Sequence, residues 1–353
     1  GREPIIPRPV FFEHVHNLLD EHAVGSITYS EGVSEDVNKF VWTDQDWDPD
    51  TPVVETLRDY ARLLVDPSLT DALPGGLLAL EANMEGPLID NSQIGVTLGQ
   101  WQAMERRASP EVIANWRFQM GLLRAYFDGY IQRRLIRETE LEARAMDVLR
   151  SAPQMGALAA VGEAGRVLGL SREASVSPAL RRRCLDLADA LFESIGLQLT
   201  VEQHRNVRKG RGAFIDALDD PLNDAPWLLA QLERVRGLED EKERLDAIHA
   251  IVHRTDPGPG GRYDDLGSPQ SMTRVLNRVD GREDPGTVRS PRTSFGIRLR
   301  GMRRTHTVEP HPYEGSPVPL AWLRHVGTIF DTPLEMLYED LDPNASYRLR
   351  VVY

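Results

Sequence analysis

A single glutamate stands where α/β folds place their chemistry. Glu31 follows the segment 24–30, which is rich in β-favouring residues, and Gly32 allows a turn directly after it. A carboxylate at the carboxyl end of a strand can act as a general acid, a base or a nucleophile. The sequence therefore predicts that Glu31 is catalytic. The alternative is a glutamate that caps the next helix or forms a salt bridge with it.

Polar and aromatic residues just beyond Glu31 are candidates for substrate binding. Asn38 and Lys39 lie one to two helical turns further on, where they either hold Glu31 or a substrate hydroxyl, or face water. Trp42 and Trp47 either form a face on which a sugar ring stacks or pack in the core. The sequence leaves the alternatives for Asn38 and Lys39 open and favours core packing for the two tryptophans.

A second group of candidates follows a turn rich in glycine and proline at residues 256–261. Tyr263, Asp264 and Asp265 come directly after this turn. Carboxylates placed after a rigid turn either reach a neighbouring site or are solvated turn residues. We predict substrate-binding roles for these three residues, with the solvated turn as the alternative.

Two patterns resemble metal sites without completing them. Acidic residues occupy positions 1, 3, 5, 7 and 12 of an EF-hand spacing at Asp44, Asp46, Asp48, Asp50 and Glu55. Pro49 stands where that loop needs glycine. His249 and His253 share one helix face, but Ala250 stands where a zincin needs glutamate. The sequence therefore predicts no metal site and no cofactor.

Composition excludes several classes of partner. The 353 residues carry a formal net charge of −13, which disfavours binding to nucleic acid or to an anionic membrane. No run of 18 apolar residues is present, so no membrane-spanning segment is predicted. Cys184 is the only cysteine, which rules out an intrachain disulfide, and its apolar neighbours predict a buried, inert thiol.

The elements that must position Glu31 read as helix, strand and helix. Apolar spacing predicts helices over residues 11–23 and 34–42, with a strand over 24–30 between them. This order occurs at the closing end of a (β/α) barrel and in open α/β sheets.

The middle of the chain reads as helical. Ser109 and Pro110 form a helix-start signal, and apolar residues then recur at three and four positions, which predicts one helix over 110–150 that Pro153 ends. Further helices are predicted at 154–169, 178–208, 225–237 and 239–254. Short connections favour an antiparallel bundle, and this bundle is a candidate homodimer interface.

The predicted fold class is mainly α, with a barrel remnant before the bundle and a truncated β domain after it. The domain boundaries are a closing βα segment at 1–66, a helical bundle at 67–255, an ordered loop rich in glycine and proline at 256–316, and the start of a β-sandwich-like domain at 317–353. Residues 347–353 alternate like a strand still in progress, and Gly1 is not a methionine. We therefore expect a fragment of a longer protein.

Several motifs together carry a resemblance to a known group of proteins. They are Tyr29–Gly32, Asp36–Lys39, Trp47–Asp50, Leu57–Arg62 and Pro257–Gly267. These segments resemble the carboxyl-terminal half of large bacterial proteins related to glycoside hydrolases, which are similar in architecture to hexosaminidase and α-glucuronidase barrels. The resemblance implies that a (β/α)₈ barrel precedes this chain and that a helical domain and a β-sandwich-like end lie within it.

The expected function is that of a fragment of a carbohydrate-active enzyme. Most glycoside hydrolases use two carboxylates. Glu31 is either one of them, with absent barrel strands supplying the other, or a residue that binds sugar hydroxyls. We expect hydrolysis of a poly- or oligosaccharide by the parent protein and none by this chain alone. The alternative is a non-catalytic helical scaffold that dimerises or binds sugar.

Overall fold

A computed structural model describes most of the chain. The described residues are 6–20, 22–27, 33–85, 87–173, 176–207, 212–266, 273–279, 282–284, 291–295, 318–328 and 332–352. They are mainly helical, which confirms the mainly α class. None of the described helices combines the length and the apolar character needed to cross a membrane.

Twelve α-helices occur among the described residues. Their bounds are α1 Pro9–Asp20, α2 Asp36–Trp47, α3 Val53–Tyr60, α4 Ala72–Ala82, α5 Gln93–Arg107, α6 Pro110–Ala114, α7 Trp116–Arg150, α8 Ala152–Met155, α9 Ala157–Glu173, α10 Pro178–Ile195, α11 Ala225–Arg236 and α12 Glu241–Val252. The helix predicted over 178–208 ends early, because Gly196 adopts a left-handed backbone with φ +67° and closes α10.

The long helix predicted over 110–150 is interrupted once, at Asn115. The Ser109 hydroxyl caps the short helix α6 by accepting the N–H of Val112. Asn115 then leaves the helical conformation, and its Oδ1 accepts the N–H of Arg117 at 2.9 Å at the start of α7. Its Nδ2 donates to the carbonyl of Leu64 at 3.0 Å. This distant partner explains the interruption.

The strand predicted over 24–30 is not found where the structure describes it. Residues 24–27 form an irregular connection after α1, and residues 28–30 lie outside the described residues. The conformation of this connection is held by the side chain of Ser26, which bonds to α2. Thr28 and Tyr29, two of the three residues that favour a strand, lie outside the described residues.

The described chain divides into two compact units, which are considered separately. Unit 1 includes the described residues of 1–133 and 176–220, and unit 2 includes those of 134–175, 221–300 and 311–353. The predicted bundle over 67–255 is therefore split between them. Helix α7 contributes its first half to unit 1 and its second half to unit 2.

Unit 1 is packed around large aromatic side chains. The Trp101 ring lies over Gly121, where an added Cβ would come within 2.1 Å of the ring. The Trp101 indole N–H donates to the carbonyl of Gly76 at 3.1 Å. The apolar stripe predicted on the long helix is buried at Met120, Leu123, Phe127 and Tyr130. Tight contact between ring and helix backbone explains why glycine stands at position 121.

Unit 2 is packed around small side chains. Helix α9 buries Ala157, Ala160 and Ala164, and these alanines allow close approach to the apolar side chains of α7, α11 and α12. The N-terminus of α9 is capped from a distance, because Glu241 accepts the N–H of Ala157 at 2.7 Å.

Two short strands lie in the carboxyl-terminal part of unit 2. Strand β1, Arg292–Phe295, pairs antiparallel with β2, Arg324–Gly327. The loop predicted over 256–316 therefore contains a strand, whose partner lies in the predicted β domain. The strand predicted over 347–353 is absent from the described residues 346–352, which have no regular structure. Without a neighbouring strand, alternation alone does not make a ladder.

Candidate functional site

The predicted catalytic glutamate lies outside the described residues, but both flanking segments are described. Residues 22–27 precede Glu31, and the chain resumes at Val33 before α2. A group of polar side chains joins these flanks. We call His16, Ser26, Trp42 and Asp46 the amino-terminal polar cluster.

The cluster is centred on the carboxylate of Asp46. The Ser26 hydroxyl lies 2.9 Å from each Asp46 oxygen, and the Trp42 indole N–H donates to Ser26 Oγ at 2.7 Å. Nε2 of the buried His16 lies 3.0 Å from Asp46 Oδ1. The Trp42 and His16 rings form a T-shaped pair with a centroid distance of 5.1 Å. These contacts tie the irregular connection to both α1 and α2.

A chain of amides determines what the His16 ring faces. Gln45 Nε2 donates to the Thr51 carbonyl at 2.9 Å, so its Oε1 is left to accept from Asn17 Nδ2 at 3.1 Å. Asn17 Oδ1 then faces His16 Nδ1 at 2.8 Å. Both ring nitrogens of His16 therefore meet oxygen acceptors, Asn17 on one side and Asp46 on the other.

This arrangement does not form a nucleophilic triad. In a serine hydrolase the imidazole accepts the hydroxyl proton and the carboxylate orients the imidazole. Here the Ser26 hydroxyl bonds to Asp46, and no bond joins it to His16. The cluster is therefore suited to holding the chain ahead of Glu31, which is a structural role.

The most exposed aromatic group of unit 1 stands at the end of α2. Trp47 is 89% exposed, whereas Trp42 packs by its edge against Phe12 at 6.1 Å as well as against His16. The sequence treated the two tryptophans alike, as a stacking face or as core. The structure separates them: Trp42 is packed and Trp47 is presented to solvent.

The predicted residue Asn38 is buried and used by the fold. Its Oδ1 accepts the N–H of Arg8 at 2.7 Å, and its Nδ2 donates to the carbonyl of Ile6 at 2.8 Å. These bonds hold the chain entering α1 against α2. Lys39 is half-buried on the same helix.

The predicted residues Tyr263, Asp264 and Asp265 belong to unit 2, whereas Asn38 and Lys39 belong to unit 1. Asp264 is engaged on both oxygens, with the Arg274 guanidinium on one and the Tyr338 hydroxyl at 2.9 Å on the other. Burial, followed by the bond to Asp264, raises the pKa of Tyr338. Tyr263 is 44% exposed and Asp265 is half-buried, and both have partners in the fold.

The acidic run is not a calcium loop. Asp44 and Asp46 lie within α2, so the first positions of the EF-hand spacing are helical. Asp44 bonds to Thr56, and Asp46 belongs to the polar cluster. Among the described residues, no group of three or more His, Cys, Asp or Glu side chains could hold a metal ion.

The buried charges of α7 were not predicted from the sequence, whereas the predicted burial of Cys184 is confirmed. Arg124 pairs with Asp128 at 2.9 Å, with side chains 1% and 2% exposed. An arginine and a carboxylate four residues apart inside an apolar run was the available signal. Cys184 is fully buried, and burial raises the pKa of its thiol, which agrees with an inert role.

Comparisons with protein families, with curated proteins and with solved structures found no significant match to this chain.

Proposed function

We propose that this chain binds a carbohydrate as part of a glycoside-hydrolase-like protein, and that the end of α2 contacts the sugar. The observation that carries the proposal is the 89% exposure of Trp47. Tryptophan is highly buried on average, so an indole exposed to this degree makes the end of α2 a candidate contact surface. Its flat apolar face fits the C–H face of a sugar ring, and its N–H can bond to a hydroxyl.

The residues beside Trp47 suit a neutral, hydroxyl-rich ligand. Asp48 and Asp50 are exposed, and ionised carboxylates accept hydrogen bonds from hydroxyl groups. Asp48 Oδ1 also accepts the N–H of Asp50 at 3.1 Å, which orients this carboxylate. The surplus of acidic residues disfavours an anionic sugar.

The surface is also held in place before any ligand arrives. Asn17 Nδ2 donates to the Pro49 carbonyl at 3.1 Å, and Gln45 Nε2 donates to the Thr51 carbonyl at 2.9 Å. These two bonds tie the turn after Trp47 to α1 and α2. A surface that is ordered in advance loses less conformational entropy on binding.

The catalytic part of the proposal rests on the motif around Glu31. Its carboxyl group acts as one of the two that most glycoside hydrolases need, and the preceding barrel supplies the second. In this proposal residues 1–66 close the barrel and the helical bundle serves as a scaffold or dimer interface. The amino-terminal polar cluster supports the proposal by anchoring the chain just ahead of Glu31 at Ser26.

Sugar binding is tested by affinity electrophoresis of the 353-residue chain in gels that contain neutral polysaccharides such as glucan, mannan and xylan. We expect retardation by at least one polysaccharide and a loss of about tenfold or more in affinity for Trp47→Ala, since an aromatic hot spot contributes about 1.4 kcal/mol or more. Trp322→Ala is the matched control, because Trp322 is 44% exposed in unit 2. Equal losses in both variants, or no retardation of the wild type, would refute the proposed surface.

Catalysis is tested in the longer parent protein by release of reducing sugar. Glu31→Gln keeps the shape of the side chain and removes the ionisable proton, so we expect kcat to fall by about 10²–10⁴-fold. Glu55→Gln is the control, because Glu55 forms only an exposed ion pair with Arg58. Full activity of the Glu31 variant would leave Glu31 with a structural role and would not affect the Trp47 result.

A further inference from the structure

Two histidines on α12 form a pair that no part of the proposed function uses. His249 lies in the last turns of the helix, and His253 is the residue that closes it. The spacing of four residues places both rings on one face. Their centroids are 4.3 Å apart and their planes are inclined by 34°.

Packing of the helix does not explain this pair. The residues of α12 that enter the core of unit 2 are Ile248 and Ile251, at 2% and 6% exposure. His249 and His253 are exposed on the other side. A carboxylate lies beside them: Asp256 Oδ2 is 3.6 Å from His253 Nδ1, and this side chain is 61% exposed.

The spacing of the two exposed imidazoles allows one metal ion to be bound by a nitrogen of each ring. Imidazole nitrogen is a favoured ligand of Zn²⁺, Cu²⁺ and Ni²⁺. Metal–nitrogen distances of about 2.0–2.1 Å require two ligating nitrogens roughly 3.3 Å apart in a tetrahedral site. The ring centroids are 4.3 Å apart, so both side chains are close enough to bind one ion once the rings turn so that an in-plane nitrogen of each points at it. Ligating histidines commonly direct their other ring nitrogen to a carboxylate, which is where Asp256 lies.

We propose that His249 and His253 form an open two-histidine site for a divalent transition-metal ion, with Asp256 orienting His253 and water completing the coordination. This chemistry differs from that of a zincin, since no general-base glutamate follows His249. A bound ion joins the last turn of α12 to the turn at 253–256 that leads into the Gly/Pro segment. Its effect is to stabilise this end of the helix.

The site is tested by titrating the 353-residue chain with Cu²⁺ and Zn²⁺, followed by isothermal calorimetry and, for Cu²⁺, by electron paramagnetic resonance. We expect a Cu²⁺ signal with splitting from two imidazole nitrogens. His249→Ala and His253→Ala should each weaken binding at least tenfold. His22→Ala is the matched control, because His22 is exposed in unit 1, and it should bind as the wild type does.

Two further measurements separate the roles of the residues. Asp256→Asn should weaken binding by about 10–100-fold, as for other groups that orient metal ligands. Zn²⁺ should slow hydrogen exchange of the amides at 249–254 in the wild type and leave it unchanged in the double variant His249→Ala/His253→Ala. Equal metal affinity of the wild type and the double variant, or no binding by the wild type, would overturn the site. Trp47→Ala should bind the metal normally, so failure of the sugar proposal leaves this test intact.

Discussion

The two halves of helix α7 each bury an arginine–carboxylate pair of the same spacing, in different surroundings. In unit 1, Arg124 and Asp128 are 1% and 2% exposed. In unit 2, Arg134 and Glu138 are 9% and 7% exposed. Charges buried to this degree are stable only if further hydrogen bonds satisfy them. The comparison therefore turns on what else each carboxylate binds.

In unit 1 the carboxylate is joined to another helix by a side chain. Asn83, which closes α4, donates from Nδ2 to Asp128 Oδ2 at 2.9 Å. No described residue donates a hydrogen bond to Asn83 Oδ1, although this atom is buried. This contact therefore gives the Asp128 carboxylate a hydrogen bond but leaves the Asn83 amide oxygen without one among the described residues.

In unit 2 the carboxylate accepts a hydrogen bond from the backbone of a loop. Glu138 Oε2 accepts the N–H of Leu222 at 2.7 Å, and the Asn223 side chain donates to the carbonyl of Glu138 at 2.7 Å. Asn223 Oδ1 also accepts the N–H of Ala225 at the start of α11. Two pairs of the same i,i+4 spacing thus have different roles. The pair in unit 1 is bonded to the end of α4, whereas the pair in unit 2 is bonded to the loop that leads into α11.

The largest effect is expected for Asp128→Ala. Removal of this carboxylate breaks a buried ion pair, which costs about 3–5 kcal/mol in the free energy of unfolding. Urea unfolding followed by circular dichroism measures this loss. A loss of under about 1 kcal/mol would mean that Arg124 finds another acceptor or reaches water.

A double replacement should cost less than a single one in unit 2. Glu138→Ala leaves Arg134 buried, whereas Arg134→Met with Glu138→Leu removes both charges. The double variant still takes away the acceptor of the Leu222 N–H, so we expect a loss of about 1–3 kcal/mol. Urea unfolding of both variants compares them directly. A double variant less stable than Glu138→Ala would contradict the view that the pair is costly to bury.

Replacing Asn223, which bonds to the pair in unit 2, should cost more stability than replacing Asn83, which bonds to the pair in unit 1. Asn223→Ala loses the bond to the N–H of Ala225 at the start of α11 as well as the bond to Glu138, which we expect to cost about 1–2 kcal/mol. Asn83→Ala also removes an unsatisfied oxygen, so its loss should be below about 1 kcal/mol. Thermal unfolding of the two variants ranks them. The reverse order would mean that a hydrogen-bond donor, such as water, reaches Asn83 Oδ1.

The smallest effect concerns a third, less buried pair in unit 1, in which the Arg183 guanidinium lies 2.6 Å from Glu105 Oε1. Tyr126 donates its hydroxyl to Glu105 at 2.5 Å, and burial, followed by this bond, raises the pKa of Tyr126 to about 12. The neutral phenol is favoured in the folded state, so this contribution is complete below about pH 10, the ordinary value, and is lost as the pH rises to about 12. Absorbance at alkaline pH measures the titration, with Tyr126→Phe identifying the residue. A midpoint near the ordinary value would contradict the bond to Glu105.

Local signals predicted the helices well and the strands poorly. The period of the apolar residues gave α7 its length, and Ser109 with Pro110 gave the start of α6. The interruption at Asn115 depends on the carbonyl of Leu64, 51 residues away, which no local pattern contains. Strand β1 was missed for the same reason, because its partner begins about 30 residues later.

The candidate site was likewise only partly predictable from the sequence. The sequence identified the residue types around Glu31, including Trp47 and the acidic run, but it could not tell which side chains the fold uses. Asn38 bonds to residues 30 and 32 positions away, and Asp264 bonds to Tyr338, 74 positions away. The His16 and Ser26 contacts with Asp46 were missed because they span 30 and 20 positions.

By itself, the sequence determined the mainly helical class, the acidic charge and the position of most helices, because helix period and capping act within a few residues. Only the tertiary structure decided which polar and aromatic side chains are consumed by the fold and which are presented to solvent. Burial and hydrogen-bond satisfaction depend on partners far along the chain. For that reason Trp42 became a packed ring and Trp47, five residues later, an exposed one.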